Sequence, residues 1–235
     1  MIASGAPPII VLRPEPGLAA TLAAGRRAGL AMHGFRLFDI VALPWELPDP
    51  ARFDALLIGS ANVFRHGGTK LARLRHLPVH AVGQTTADHA QKAGFDVARV
   101  GVGGLQAVID ADAGRTANYL RLGGEARVLL RPAGGQSVHD IVVYRAASRS
   151  LPDESRALLL QNPIVALHSA AAAARFQSEC DRLGVRRGGI TLACLGRRIA
   201  DAVGEGWHRI VFAPQPDDTA LLELLVRLCK SNDRP

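Results

Sequence analysis

Four short segments of this 235-residue chain join what reads as the carboxyl end of a strand to the start of a helix. They are Ser60-Ala61, Gln84-Thr85-Thr86, Ser169-Ala170 and Gly196-Arg197. A helix start exposes backbone N–H groups and the positive end of the helix dipole, so each such turn favours a carboxylate or phosphate. In open α/β sheets this is also the edge where ligands collect. The hydroxyls of Ser60, Thr85 and Ser169 have a second use as helix N-caps, each worth about 1 kcal/mol, and both readings stand. Arg13 and Arg131 each follow an apolar run and precede a proline, Val11-Leu12-Arg13-Pro14 and Leu129-Leu130-Arg131-Pro132. Just past two strand ends, they would either clamp carboxylates through a planar guanidinium or form surface salt bridges.

Other constellations carry less. His76 and His80 have ligand-like spacing, but Pro78 breaks the helix that would align them and no cysteine or carboxylate is near in sequence, so no metal site is expected. Gly101-Val102-Gly103-Gly104 has neither the helix nor the downstream acid of a dinucleotide fingerprint, and no cofactor is expected. The formal charge is +7, and 25 of the 28 basic residues are arginine. Those arginines are dispersed and only 5% of the chain is aromatic, which gives nucleic acid no stacking platform. A small polyanion fits better, with a solvated arginine surface as the plain alternative. Apolar runs such as 9–12 and 55–58 are strand-sized, too short to span a membrane. Met1-Ile2-Ala3-Ser4-Gly5 lacks the basic and apolar regions of a secretory signal. Cys180, Cys194 and Cys229 are odd in number without paired spacing, so reduced thiols and a cytoplasmic setting are expected.

The elements that must position these turns alternate between short β-branched runs and alanine-rich stretches, the pattern of a parallel α/β fold. Strands are expected near residues 8–12, 55–59, 79–82, 97–100, 127–130, 140–144, 164–167, 191–195 and 209–212. Helices are expected near 18–31, 86–93, 105–111, from 170, after 196 and over 220–229. Half of this series repeats the other half. Asp54-Ala-Leu-Leu-Ile-Gly-Ser60 parallels Pro163-Ile-Val-Ala-Leu-His-Ser169, and Val79-His-Ala-Val-Gly83 parallels Leu192-Ala-Cys-Leu-Gly196. The copy of 11–14 at 129–132 comes late, after the helix near 105–111. The chain therefore leaves one domain early, completes the other and returns, with 35–43 and 140–146 as the crossing strands.

In that order, the Arg-Pro strand end, Leu43-Pro44, Gly59-Ser60-Ala61-Asn62, Ala81-Val82-Gly83-Gln84-Thr85-Thr86-Ala87, Val143-Tyr144 and Gly206-Trp207-His208-Arg209-Ile210 resemble the uroporphyrinogen-III synthase family over about residues 9–228. The resemblance implies two similar flavodoxin-like parallel-sheet domains joined by a two-stranded linker, 1–34 with 149–235 and an inserted 35–148. It implies a monomeric lyase that cyclises hydroxymethylbilane without metal or cofactor. It also implies that Tyr144 assists loss of the substrate hydroxyl as hydrogen-bond donor or acid, with a packing role as the alternative. Arg13, Ser60, Ala61, Gln84, Thr85, Thr86, Arg131, Ser169, Ala170 and Arg197 would receive the carboxylates.

Two departures from the family stand out. No helix separates the 127–130 run from the strand after Gln136, and Arg197-Arg198 stands where many relatives carry two threonines. Both favour a second reading, a non-catalytic anion-binding relative of the same fold. A phosphoacceptor domain would need a lysine at a strand end among clustered acids; Lys70, Lys92 and Lys230 are not so placed.

Overall fold

The computed structural model describes residues 6–232 and is a mixed α/β structure built on two parallel-rich sheets. Met1-Ile2-Ala3-Ser4-Gly5, on which the reading of the N-terminus rests, lie outside the described residues. The chain divides into two compact units, Met1–Asp39 with Ser148–Pro235, and Ile40–Ala147.

Unit 1 opens with β1 (Ile9–Leu12), α1 (Gly17–Arg27) and β2 (Met32–Phe35). After the chain returns come α5 (Ser155–Leu159), β9 (Ile164–Leu167), α6 (Ala170–Leu183), β10 (Thr191–Cys194), α7 (Arg197–Ala200), β11 (Arg209–Phe212) and α8 (Asp218–Asn232). The strands lie in the order β11-β10-β9-β1-β2, all parallel, and all four residues of β1, β9 and β10 are buried. Strands buried on both faces need unbroken apolar runs, and Ile-Ile-Val-Leu and Ile-Val-Ala-Leu supply them. Phe176, Cys180 and Ile199 from α6 and α7 cover one face; Leu18, Leu221 and Leu225 from α1 and α8 cover the other.

Unit 2 holds β4 (Ala55–Ile58), α2 (Asn62–His66), β5 (Val79–Val82), α3 (Gln84–Lys92), β6 (Val97–Gly101), α4 (Leu105–Asp110) and β7 (Ala117–Gly124). Two further strands, β3 (Phe38–Ala42) and β8 (Gln136–Ser148), carry the chain between the units. Their pairing runs in opposite directions: Arg149 N–H donates to the Leu37 carbonyl and Leu43 N–H to that of Val143. The order is β3-β8-β7-β4-β5-β6. Setting β3 aside, β8-β7-β4-β5-β6 repeats β2-β1-β9-β10-β11 of unit 1 place for place.

That correspondence corrects one expectation. Residues 127–130 form no strand; they are coil, with Val128 77% and Leu129 84% exposed. The counterpart of β1 is β7, so the residue matching Arg13 is Gly123, and Arg131 stands in coil rather than past a strand end. An apolar run of four residues fits a buried strand, but β7 fills the place with Leu120 and Leu122 on one face and Tyr119 and Arg121 on the other. Unit 1 joins β1 to β2 through α1; unit 2 joins β7 to β8 through coil alone. Arg121, 6% exposed, ties that coil to the sheet by donating to the Val128 carbonyl at 2.8 Å and pairing with Asp140 at 3.4 Å. Gln106 on α4 holds Arg131 by both its backbone N–H and its carbonyl.

Candidate active site

The carboxyl ends of unit 2's strands gather one set of groups. Ile58 is in register with Leu122 on one side and Ala81 on the other, so the turns after β4, β5 and β7 share one edge. In the first turn Ser60 Oγ accepts from Asn62 N–H at 3.2 Å, and Ala61 is buried behind it. In the second, Gly83 takes φ 77, a left-handed conformation that favours glycine, and turns the chain into α3. The first N–H groups of α3 have no intrahelical partner, which leaves exposed Gln84 and Thr85 to present theirs. Gln84 donates its side-chain amide to Asp88 at 2.8 Å. Thr86 turns the other way: it is 5% exposed and its N–H bonds Gly83 O at 3.1 Å, so its side chain is removed from the edge.

Tyr144 belongs to the same edge, since it pairs with Gly124 at the end of β7. It is half-buried against the Leu56, Ile58 and Val143 cluster, with the His66 ring 6.3 Å away and tilted by 46°. Burial, then the charge of Arg65, lowers the His66 pKa from its ordinary value.

Unit 1 presents its own edge, where Leu12, Leu167 and Cys194 share one row. Ser169 is a true N-cap of α6: extended at φ −152, it accepts from Ala172 N–H at 3.1 Å. The N–H groups of Ala170 and Ala171 remain without intrahelical partners. Arg197 and Arg198, both exposed, open the four-residue α7. Arg13 comes with a carboxylate of its own: it bonds Asp218 at 2.6 Å and Thr21 Oγ1 at 3.0 Å. Beside them the His168 side chain is only 7% exposed, with Nε2 3.5 Å from Asp218 and neither ring nitrogen hydrogen-bonded. Burial first, then the Arg13 charge, lowers its pKa to about 4 against the opposing pull of Asp218.

The structure thus brings Ser60, Gln84, Thr85 and Tyr144 to one edge, and Arg13, Ser169, Ala170 and Arg197 to the other unit's matching edge. Arg131 and Thr86 do not join them in the expected way. Sequence reasoning missed Asp218 and His168; the histidine before Ser169 was the one available signal. It also missed a polar network where His80, Arg99 and Tyr119 surround buried Asp112, with the guanidinium at 2.8 Å and the phenol at 2.9 Å. A pocket of about 510 Å³ beside this network is lined by Asp54, Ala55 and Ala117, at the amino ends of β4 and β7, the opposite edge from Tyr144. Among the described residues no group of three or more His, Cys, Asp or Glu is placed to hold a metal ion. No helix among them is long and apolar enough to cross a membrane.

Comparison with known proteins supplies the family. The fold is similar to that of the uroporphyrinogen-III synthetase from Helicobacter pylori, at 20% identity and a TM-score of 0.63 over 93% of this chain and 98% of that one. A mutant uroporphyrinogen III synthase from the extremely thermophilic bacterium Thermus thermophilus is similar at 15% identity and a TM-score of 0.57, over 95% and 99%. No curated protein sequence matches. A family model described as uroporphyrinogen-III synthase HemD matches residues 24–223. With that match spanning most of its length, the chain belongs to the uroporphyrinogen-III synthase family, lyases of tetrapyrrole biosynthesis.

Proposed function

We propose that the chain closes hydroxymethylbilane, a linear tetrapyrrole with eight carboxylates, into uroporphyrinogen III, inverting the last pyrrole ring and releasing water. Loss of the terminal hydroxyl gives a cation stabilised by its own pyrrole. Attack from the substituted carbon of the last ring forms a spiro intermediate, and reopening and closure turn that ring over. Without a catalyst the same cation closes to the type I isomer, so the protein's work is to select a conformation. The observation that carries this reading is the gathering of helix-start amides and Tyr144 at one carboxyl-end sheet edge, within a chain of this family.

Residue roles follow from placement. The N–H groups of Gln84, Thr85 and Ala170, with Ser60, Ser169 and Arg197, receive carboxylates. Arg13 exchanges Asp218 for a substrate carboxylate. Tyr144 donates its phenolic O–H to the departing hydroxyl, a donor that adds no positive charge beside the developing cation. The matched strand order supports a further reading: both units follow one flavodoxin-like plan, with 35–148 inserted between 1–34 and 149–235. A monomer working in the cytoplasm is the setting we propose, and three cysteines that form no disulfide accord with it.

The test is incubation of hydroxymethylbilane with the protein and separation of the product isomers. Type III in excess is expected. Type I alone, at the spontaneous rate, would leave a binding protein with no catalytic role.

A further inference from the structure

The strand that carries Tyr144 breaks its own alternation. Along β8, Val138 faces the α4 side of the sheet and Asp140 pairs with Arg121 there, while Ile141 and Val143 pack on the α2–α3 side. By strict alternation Tyr144 would join Val138; instead it packs on the same cluster as Val143. The cause is in the register with β7. Gly123 pairs with Val142, the next residue Gly124 pairs with Tyr144, and Val143 is the extra residue of a bulge. A bulge of this kind re-aims the side chain that follows it.

Gly124 then makes room for the ring. A Cβ built on it would stand 2.7 Å from Tyr144 Cε2, 2.9 Å from Cζ and 3.1 Å from the phenolic oxygen, so the end of the tyrosine ring lies on the bare Cα. The backbone at Gly124 does not have the positive φ that would itself require glycine. Gly123, one residue earlier, has nothing within 4 Å of a built Cβ. The two glycines are equal in sequence and opposite in what a methyl group would meet.

We infer that Gly124 is a positioning residue: with the bulge at Val143, it seats the Tyr144 phenol at the carboxyl edge of the unit 2 sheet. This rests on the role given to Tyr144 above. A methyl group there would move the outer end of a side chain rather than backbone, so Gly124→Ala folds and displaces the phenol.

The experiment separates placement from chemistry. The chain has two tyrosines, so protein made with 3-fluorotyrosine gives two fluorine signals, assigned by Tyr119→Phe and Tyr144→Phe. Gly124→Ala is expected to shift the Tyr144 signal and leave that of Tyr119, whereas Gly123→Ala shifts neither. In turnover of hydroxymethylbilane, Gly124→Ala should lower kcat by about the factor that Tyr144→Phe does, roughly 10- to 1000-fold, with little change in KM and a larger type I share. The double variant should fall no further than the lower of the two. An unmoved Tyr144 signal in Gly124→Ala would overturn the inference. So would a moved signal with unchanged rate and isomer ratio while Tyr144→Phe is impaired. If Tyr144→Phe keeps full rate and selectivity, the catalytic reading of the tyrosine fails, and the fluorine shift alone decides whether Gly124 seats the ring.

Discussion

His168 is a histidine kept from its usual proton by its surroundings. Burial and the neighbouring Arg13 charge hold its folded pKa at about 4, against an ordinary value of 6.5. The unfolded chain takes up this proton near pH 6.5 while the native chain resists until about pH 4, so stability is full above that window and falls as pH descends through it. The shift corresponds to about 3 kcal/mol lost by about pH 4. Urea unfolding at about pH 7 and about pH 4.5 should show a smaller drop in His168→Gln than in wild type; parallel drops would remove His168 as the source. Tyr144→Phe is expected to fold normally and to lose roughly 10- to 1000-fold in rate, with product drifting toward type I, which isomer separation would measure. Ser169 could be read from sequence because capping is local. Asp218 could not, because it reaches Arg13 across 205 residues of chain. Thr86 shows the remaining limit: Thr85 and Thr86 are alike in sequence, and a turn of about 100° per residue exposes one and buries the other.

Among the elements, α6 does more than cover a sheet face. Its Glu179, 1% exposed, accepts from Leu151 N–H at 2.8 Å and pairs with Arg175 at 2.8 Å and Arg182 at 2.9 Å. Arg182 also donates to the Leu151 carbonyl at 2.6 Å, and Arg175 to that of Arg149. The helix thereby fixes the segment by which the chain re-enters unit 1. Glu179→Ala leaves the Leu151 N–H without its acceptor, while Arg175 and Arg182 keep the Arg149 and Leu151 carbonyls, and should cost about 1–3 kcal/mol in denaturant unfolding; an unchanged unfolding midpoint would mean that solvent replaces the carboxylate freely. Apart from the short α5, which no periodicity marked, the helices and buried strands were legible from periodicity and alanine content. The β7 strand was not, because Arg121 and the pair Gly123-Gly124 interrupt an apolar pattern that the exposed Val128 and Leu129 imitate more closely. Burial, not hydrophobicity, distinguishes them, and burial depends on what the rest of the chain supplies.

At the scale of the molecule, the repeat at 54–60 and 163–169 points to paired strands of one plan, β4 and β9 in the structure. Chain order alone also indicates a late counterpart of β1, although the residues that fill it are those of β7 rather than 129–132. Unit 2 starts and ends on neighbouring strands, β3 and β8, and holds its own apolar clusters on both sheet faces. A fragment of residues 40–147 should therefore melt cooperatively by itself in circular dichroism. A fragment with no transition would show that the unit depends on the rest of the chain.

The place of β1 has a consequence for how the protein is made. It is a central strand of its sheet, between β2 and β9, yet it leaves the ribosome with only β2 to pair with. At about 5–20 residues per second, Ile164–Leu167 follows roughly ten to thirty seconds later. Through that interval the side of Ile9–Leu12 that β9 will border has no partner strand, while the inserted unit has time to complete its sheet. Synthesis therefore reverses spatial logic: the unit begun first is finished last, and its earliest strand waits as a template for the chain's final third. A chain ending at residue 150 and released from the ribosome should present unit 2 as protease-resistant and residues 9–35 as open to cleavage and to holdase chaperones.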